Sequence, residues 1–597
     1  MKRIAFYYLY SEDGIVDDYV TTFLTELKAL CETVIIGVSG RLTPEGCETL
    51  EPLCADLFIL QNAFKPEIFK TAIEYVEYEN LCKYDSLIFA DNNIVGPFFS
   101  FSGMIEAMES LDADFCASHY SNCNDAKIPY GLFLFTNSLI KTDKFKKSFD
   151  NIQILAQNND EAESLFSIKL SEIVSNSGYK IKFLQPDNLA NYSPNPSVQS
   201  AYLQLKEHKS AILPMKAFSS RLEENLILSH GDDTRLALDF IKKETKYNAD
   251  LILSHLIRVY PQHTFVNRLQ MNYVLQETES SFVLTSRIAV ICYVYYAEMV
   301  GKCASYAKNF PAETDFYLVS CDEDVLEQLA EAFKANTKNK IETALIPNRG
   351  RNIAALLTAF PNVITDAHYD YICFYHGKAP EHVKWEIEGE SFAERAYSIF
   401  KTPQIVTAVI KTFDDNDLLG MLSSPPPYHS VYRNVQNVSW HTNEKAVREY
   451  AEKLELKVPT NEVPIVPYGV VFWFRAKALA SLIEKKFVPE DFPEEPVAID
   501  GTFLHTIERI IPLVIQDNGF YTAYAQDISQ MQTDVANYRH LFYLYNGYKG
   551  DIQELAETLP TKLLIKKLVK RFFPFKKLWK KMSDKKWDRI REKERCK

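Results

Sequence analysis

The densest group of chemically capable side chains is Pro347-Asn348-Arg349-Gly350-Arg351-Asn352, a polar loop between a strand pattern and a helix pattern. Two guanidiniums, a glycine that admits close backbone approach and the free N–H groups of a helix start suit an anionic ligand such as a diphosphate. The spacing is neither a Walker loop nor GxGxxG, so nucleoside triphosphatase and dinucleotide-binding readings gain nothing from it. A solvated turn capped by Asn352 is the plainer alternative. A second group, Tyr375-His376-Gly377-Lys378, ends an apolar strand pattern. There Lys378 can neutralise a phosphate, and His376 can donate to one or relay a proton. The third group follows Asp500-Gly501-Thr502. On the helix pattern FLHTIERIIPLVI, one face carries His505, Glu508 and Arg509. Asp500, or else Glu508, is placed to act as general base, with a structural ion pair between Glu508 and Arg509 as the competing explanation.

Metal chemistry has less to stand on. Asp112-x-Asp114 and Asp322-x-Asp324 have the spacing that holds a magnesium or manganese diphosphate, but both lie at helix ends, where carboxylates are ordinary. No metal site and no cofactor is assigned, and a divalent Mg or Mn ion has only weak support. Asp91, followed by Asn92, stands alone at the end of the strand pattern YDSLIFAD.

These residues must be positioned by larger elements. IAFYYLY, VIIGVS, DLFIL and YDSLIFAD read as strands separated by helix patterns, the alternation of a parallel sheet buried on both faces. Ligands of such sheets sit outside the carboxyl ends of the strands, so functional residues here should follow IAFYYLY and LIFA. Residues 200–286 carry helical spacing and read as a connector. The strand-helix order then restarts at RIAVICYVYY. Tyr84-Asp85 matches Tyr369-Asp370, and Asn62 matches Asn348, which points to two copies of one unit. The expected fold is α/β: two Rossmann-like (GT-A-like) doubly wound units joined by a helical connector, with a basic amphipathic C-terminal helix. Expected boundaries are 1–199 for the first unit, 200–286 for the connector, 287–545 for the second unit and 546–597 for the tail.

The chain has 597 residues, 47% apolar and 24% charged, an ordinary globular mix that excludes wholesale disorder. Its 11 Cys form no CxxC or zinc spacing, as expected of free thiols in a reducing compartment. No apolar run reaches the ~18 residues of a membrane span and the start lacks signal-peptide features, so a cytoplasmic location is expected. The net charge of −13 hides a basic end: residues 561–597 hold about 16 Lys or Arg against about 4 Asp or Glu. An acidic body argues against nucleic-acid partners. In the tail, Leu564, Leu568, Phe572, Phe575 and Trp579 recur at mostly helical spacing with Lys opposite, the composition of a helix lying on an anionic membrane surface. Docking on the acidic body and a nucleic-acid tail are the rival readings of that segment.

Taken in order, VDDYVTTFLTEL, YDSLIFADNNIVGPFFSFSGMIEAM, ILPMKAF, NRGRN, YDYICFYHGK, PYGVVFWFRAKAL and DGTFLHTIER resemble the rhamnan synthesis protein F family of bacterial cell-surface polysaccharide assembly. The resemblance implies a glycosyltransferase that transfers a sugar, typically rhamnose from a dTDP-rhamnose-like nucleotide-diphosphate donor, to a polyprenyl-linked glycan at the inner face of the cell membrane. It also implies two transferase-like units. Asn348, Arg349, Gly350, Arg351, His376, Lys378, Asp500, Gly501, His505, Glu508 and Arg509 match family motif positions; Asp91, Gly96 and Pro97 match less well. In this expectation 348–351, His376, Lys378 and Arg509 bind the donor diphosphate, with Arg349, Arg351 and Lys378 replacing a metal. Asp500, Glu508 and His505 are the catalytic set. The chain departs from the family at Asn352, at Asn62-Ala63-Phe64-Lys65-Pro66 and at Asp91-Asn92-Asn93. The first unit is therefore expected to be degenerate and the second to be the working one. A non-catalytic scaffold with two degenerate units is the alternative.

Overall fold

A computed structural model describes residues 1–123, 126–150, 159–176, 178–277, 284–377, 386–427, 440–498 and 500–558. It divides into two compact units, Met1–Pro425 with Val435–Gln526, and Pro426–Asn434 with Asp527–Lys597. In the second of these, the helix Ile528–Thr558 is described. Lys378 and the tail residues Leu564, Leu568, Phe572, Phe575 and Trp579 lie outside the described residues.

The larger unit contains two sheets. In chain order the strands are β1 (Arg3–Ser11), β2 (Thr33–Gly40), β3 (Asp56–Leu60), β4 (Ser86–Asp91), β5 (Ile94–Val95), β6 (Phe115–Cys123), β7 (Ala126–Thr136) and β8 (Ile181–Phe183). They continue with β9 (Leu213–Pro214), β10 (Asn272–Leu275), β11 (Ile288–Tyr293), β12 (Asp315–Ser320), β13 (Ile341–Leu345), β14 (Tyr371–His376), β15 (Leu419–Ser423), β16 (Phe472–Arg475) and β17 (Tyr521–Asp527). One sheet runs β3-β2-β1-β4-β7-β6-β8, the other β13-β12-β11-β14-β16-β15-β17-β10, and β5 pairs with β9.

Apart from β10 the two sheets share strand order and direction. The four leading strands of each are parallel. The fifth runs antiparallel to its neighbours on both sides, and the last is parallel to the sixth. The Tyr-Asp pairs do the same work in each. Asp85 accepts from Lys2 N at 2.7 Å and Asp370 from Arg287 N at 2.8 Å, so each ties the start of its central strand. The chain holds two Rossmann-like α/β units, as expected.

Burial alternates with period two in both central strands. Ala5, Tyr7 and Leu9, with Ile288, Val290 and Cys292, face one continuous core that also takes in the connector's Ile252, Leu256 and Phe265. Ile4, Phe6 and Tyr8 face a core on the far side of the first sheet, and Ala289, Ile291 and Tyr293 one on the far side of the second. Strands buried on both faces read as unbroken apolar runs, which is why IAFYYLY and RIAVICY look alike.

Candidate functional site at the strand ends

A cavity of about 830 Å³ opens at the carboxyl ends of β1 and β4. Tyr8, Tyr10 and Ser11 from β1 line it, with Asn92 and Asn93 from the turn after β4. The connector adds Lys216, Arg221, His255 and Arg258, and the second half adds Lys457. Lys65, which opens the helix Lys65–Val76, also lines the cavity, and its ammonium pairs with the buried carboxylate of Asp91. Asp91 also accepts from Asn93 N at 2.9 Å, shaping the turn. Asn92 clamps the other lip by exchanging hydrogen bonds with the Tyr10 backbone, 3.2 Å from N and 2.9 Å to O.

The most highly charged part of the wall centres on Asp17. It accepts from His255 Nδ1 at 2.7 Å and from Arg258 Nε and Nη2 at 2.9 and 2.6 Å, and Arg258 also pairs with Asp13. Burial alone would raise the Asp17 carboxyl, but these hydrogen bonds and charges outweigh it and draw it down to about 2. Burial works against Arg258 too, yet Asp17 and Asp13 leave its pKa raised.

The second half places its polar residues at the equivalent strand ends. Gly350 takes a left-handed backbone (φ +71) at the start of the helix Arg351–Thr358, where a Cβ would meet Phe492 Cγ at 2.6 Å. The Arg349 guanidinium donates to Phe492 O at 2.8 and 3.1 Å and to Glu494 Oε1 at 3.2 Å. Arg351 forks onto Glu495 at 2.6 and 3.0 Å and reaches Val497 O, and the Glu495 hydrogen bond raises its pKa. Asn352 Nδ2 lies 3.2 Å from His376 Nε2, which is 3.0 Å from Gly469 O. The 348–352 turn and the β14 end therefore meet, with both guanidiniums engaged by the 492–497 segment. Asn348, in the same turn, is exposed.

Asp500 accepts from Thr442 Oγ1 and Asn443 Nδ2, both at 2.8 Å. Desolvation raises it, but these bonds and backbone N–H groups bring it to about 2, leaving an ionised, weakly basic carboxylate. His505 Nδ1 lies 2.8 Å from Thr502 Oγ1 at the start of its helix. Glu508 and Arg509 are buried side by side in sequence. Arg509 donates to His505 O at 2.7 Å, and desolvation lowers its pKa against the charges of Glu508 and Asp500.

Asp112 pairs with Lys180 at 2.6 Å, Asp114 accepts from Lys180 N at 3.0 Å, and Asp322 caps its helix through Val325 N at 3.0 Å. Among the described residues no group of three or more His, Cys, Asp or Glu is assembled to hold a metal, and no helix is long and apolar enough to cross a membrane. Sequence reasoning overlooked Asp17, His255 and Arg258. The available signal was His255 and Arg258, three apart on the otherwise apolar helix pattern ADLILSHLIRVY.

The fold and the β1/β4 cleft define a two-unit α/β protein with ligand-sized space where Rossmann-like sheets hold their ligands. Residues 34–520 match the model of the rhamnan synthesis protein F family, and the chain belongs to that family. A protein from Xanthomonas campestris pv. campestris strain B100, named as the uncharacterized protein WxcX, is 25% identical over 172 residues, covering 29% of this chain and 23% of its own length. The chain thus spans about a quarter of that curated relative. Among solved structures, the glycosyltransferase GlyE of Streptococcus pneumoniae TIGR4 is 13% identical with a TM-score of 0.23, covering 58% of this chain and 81% of its own. The inositol-1-phosphate CTP transferase from T. maritima is 12% identical with a TM-score of 0.21, covering 30% and 84%.

Proposed function

We propose that this protein is a glycosyltransferase moving a rhamnose-type sugar from a dTDP-rhamnose-like nucleotide-diphosphate donor to a polyprenyl-linked glycan. We place the donor in the cleft at the ends of β1 and β4. The observation that carries the reading is that cleft itself. Its roughly 830 Å³ falls within the ~300–1,000 Å³ usual for small-molecule sites, and it stands where parallel sheets present ligands. Lys216, Arg221 and Lys457 line it, and cations aimed at a departing diphosphate stabilise the charge that develops there. In the second half, Arg349 and Arg351 are held by Glu494 and Glu495, which favours a structural part for the 348–352 turn. The basic tail would hold the body against the anionic inner face of the cell membrane, near a lipid-linked acceptor.

The test is transfer from dTDP-rhamnose and a panel of other nucleotide sugars to a polyprenyl-diphosphate-linked acceptor, with Arg221→Ala and Lys457→Ala alongside. Turnover is expected, with donor KM raised about tenfold in each variant by loss of a charge-assisted contact. No turnover with any donor rejects the reading. The engagement of Arg349, Arg351 and Asp500 by neighbouring groups favours one rival, a non-catalytic assembly scaffold. That rival predicts cleft variants that leave glycan synthesis intact while deletion of the chain abolishes it. Removing residues 561–597 should move the protein from the membrane pellet to the supernatant; unchanged pelleting rejects the anchoring role.

A further inference from the structure

We propose that His255, oriented by Asp17, takes the proton from the sugar-accepting hydroxyl in the β1/β4 cleft; this rests on reading that cleft as the transferase site. Asp17 occupies the N-cap of the helix Asp18–Leu30 yet makes no side-chain cap to it. An Asp there normally bonds its own helix for about 1 kcal/mol. Instead the carboxylate turns across to a helix 238 residues further on and accepts from His255 Nδ1 at 2.7 Å.

That bond sets the chemistry of the ring. A proton held on Nδ1 leaves the lone pair on Nε2, at the opposite edge. Among the described residues Nε2 makes no hydrogen bond. The side chain keeps 11% of its surface exposed, in the cleft wall, and the edges of Tyr19 and Tyr260 fix its plane. The carboxylates beside it are poor rivals as bases, because Arg258 grips both oxygens of Asp17 and also Asp13. Arg258 has a second consequence: it keeps Asp17 paired when the imidazole is removed, so His255 can be replaced without stranding a buried charge.

In the step itself the acceptor O–H bond breaks and its proton passes to Nε2. The oxygen bonds to the anomeric carbon, and the bond from that carbon to the diphosphate oxygen breaks. Its electron pair leaves with the nucleoside diphosphate, and the imidazolium then releases the proton to solvent. No oxidant or further reactant is required.

The experiment compares wild type, His255→Ala and His255→Asn as full-length proteins, with dTDP-rhamnose and the polyprenyl-diphosphate-linked acceptor. Asn keeps a donor toward Asp17 but offers no base at the Nε2 position. Both variants should lose ~10²–10⁴-fold in kcat, the usual worth of a general base, with donor KM within about threefold. Added imidazole should restore His255→Ala by about tenfold or more, since the cleft leaves room for it. Transfer by His255→Asn within about threefold of wild type overturns the inference and leaves the proposed function standing. So does a loss confined to KM, or one that imidazole does not relieve. Wild type that transfers nothing removes both.

Discussion

At the carboxyl ends of β1 and β4 the first half buries Lys65 against Asp91 and keeps a cleft of about 830 Å³ in front of the pair. At the matching ends of β11 and β14 the second half presents Arg351 and His376, and the 492–497 segment lies against Arg351. The correspondence holds residue by residue. Asp91 pairs in register with Tyr8, and His376 with Tyr293. Lys65 and Arg351 are each the first residue of the helix after the third strand. Shared topology thus fixes where polar residues stand, while the segments that cross the strand ends decide what they do. In the first half those segments come from the connector and bring a histidine and arginines to the wall. In the second half a loop of the same half brings Phe492, Glu494 and Glu495 onto the arginines.

The sharpest test of this difference is to remove one cation from each half. Lys65→Met leaves Asp91, 1% exposed, as an uncompensated buried charge. Such losses cost ~3–5 kcal/mol, and the double change Lys65→Met with Asp91→Leu should recover most of it. Arg351→Met breaks a pair whose side chains are 38% and 27% exposed, so the cost should stay within ~1 kcal/mol. Urea midpoints of the variants give the comparison directly. Equal losses would mean that the two strand ends are built alike after all.

What could be read from the sequence follows from how local each feature is. Alternating burial in β1 and β11, the Tyr-Asp starts and the strand-end rule are written in neighbouring residues, so two units and the place of a cleft after IAFYYLY and LIFA were both accessible. Pairings across long separations were not. Arg351 meets Glu495 over 144 residues and Arg258 meets Asp17 over 241. A run such as NRGRN looks like a vacant anion site until the carboxylates that occupy it are known. His255 and Arg258 looked like part of a connector because their partner lies in another segment.

Gly350→Ala should sharpen the contrast next. The residue has φ +71, and a Cβ would lie 2.6–2.7 Å from Phe492 and Ala354. A strained left-handed alanine and an overpacked contact together cost about 3 kcal/mol. Thermal unfolding unchanged by the substitution would show that the 492–497 segment is not held against the turn.

Acid unfolding separates the halves again, at smaller amplitude. The Asp17 carboxyl is drawn from its ordinary value to about 2 in the folded protein. Its contribution is therefore complete above about pH 4 and lost as pH falls through about 2, amounting to ~2 kcal/mol. Asp17→Asn should be less stable at neutral pH by about that amount and should lose less between pH ~4 and ~2. Asp500 is also held at about 2, but it is less deeply buried than Asp17, so Asp500→Asn should change the acid limb less. A larger effect at Asp500 would reverse the ranking.

The smallest expected effect carries the most weight for function. The Arg349 side chain is 27% exposed, and its carboxylate partner Glu494 is 77% exposed, so Arg349→Ala should cost no more than ~1 kcal/mol. Transfer should stay within about threefold of wild type, because in the proposed arrangement this guanidinium supports the Phe492 carbonyl and touches no diphosphate. The same assay on Arg221→Ala, in the β1/β4 cleft, should show the rise in donor KM. A fall of ~10²-fold for Arg349→Ala with an unchanged unfolding midpoint would mean that the guanidinium leaves Glu494 for substrate during turnover. The second half would then hold the donor, and the open cleft of the first would need a different ligand.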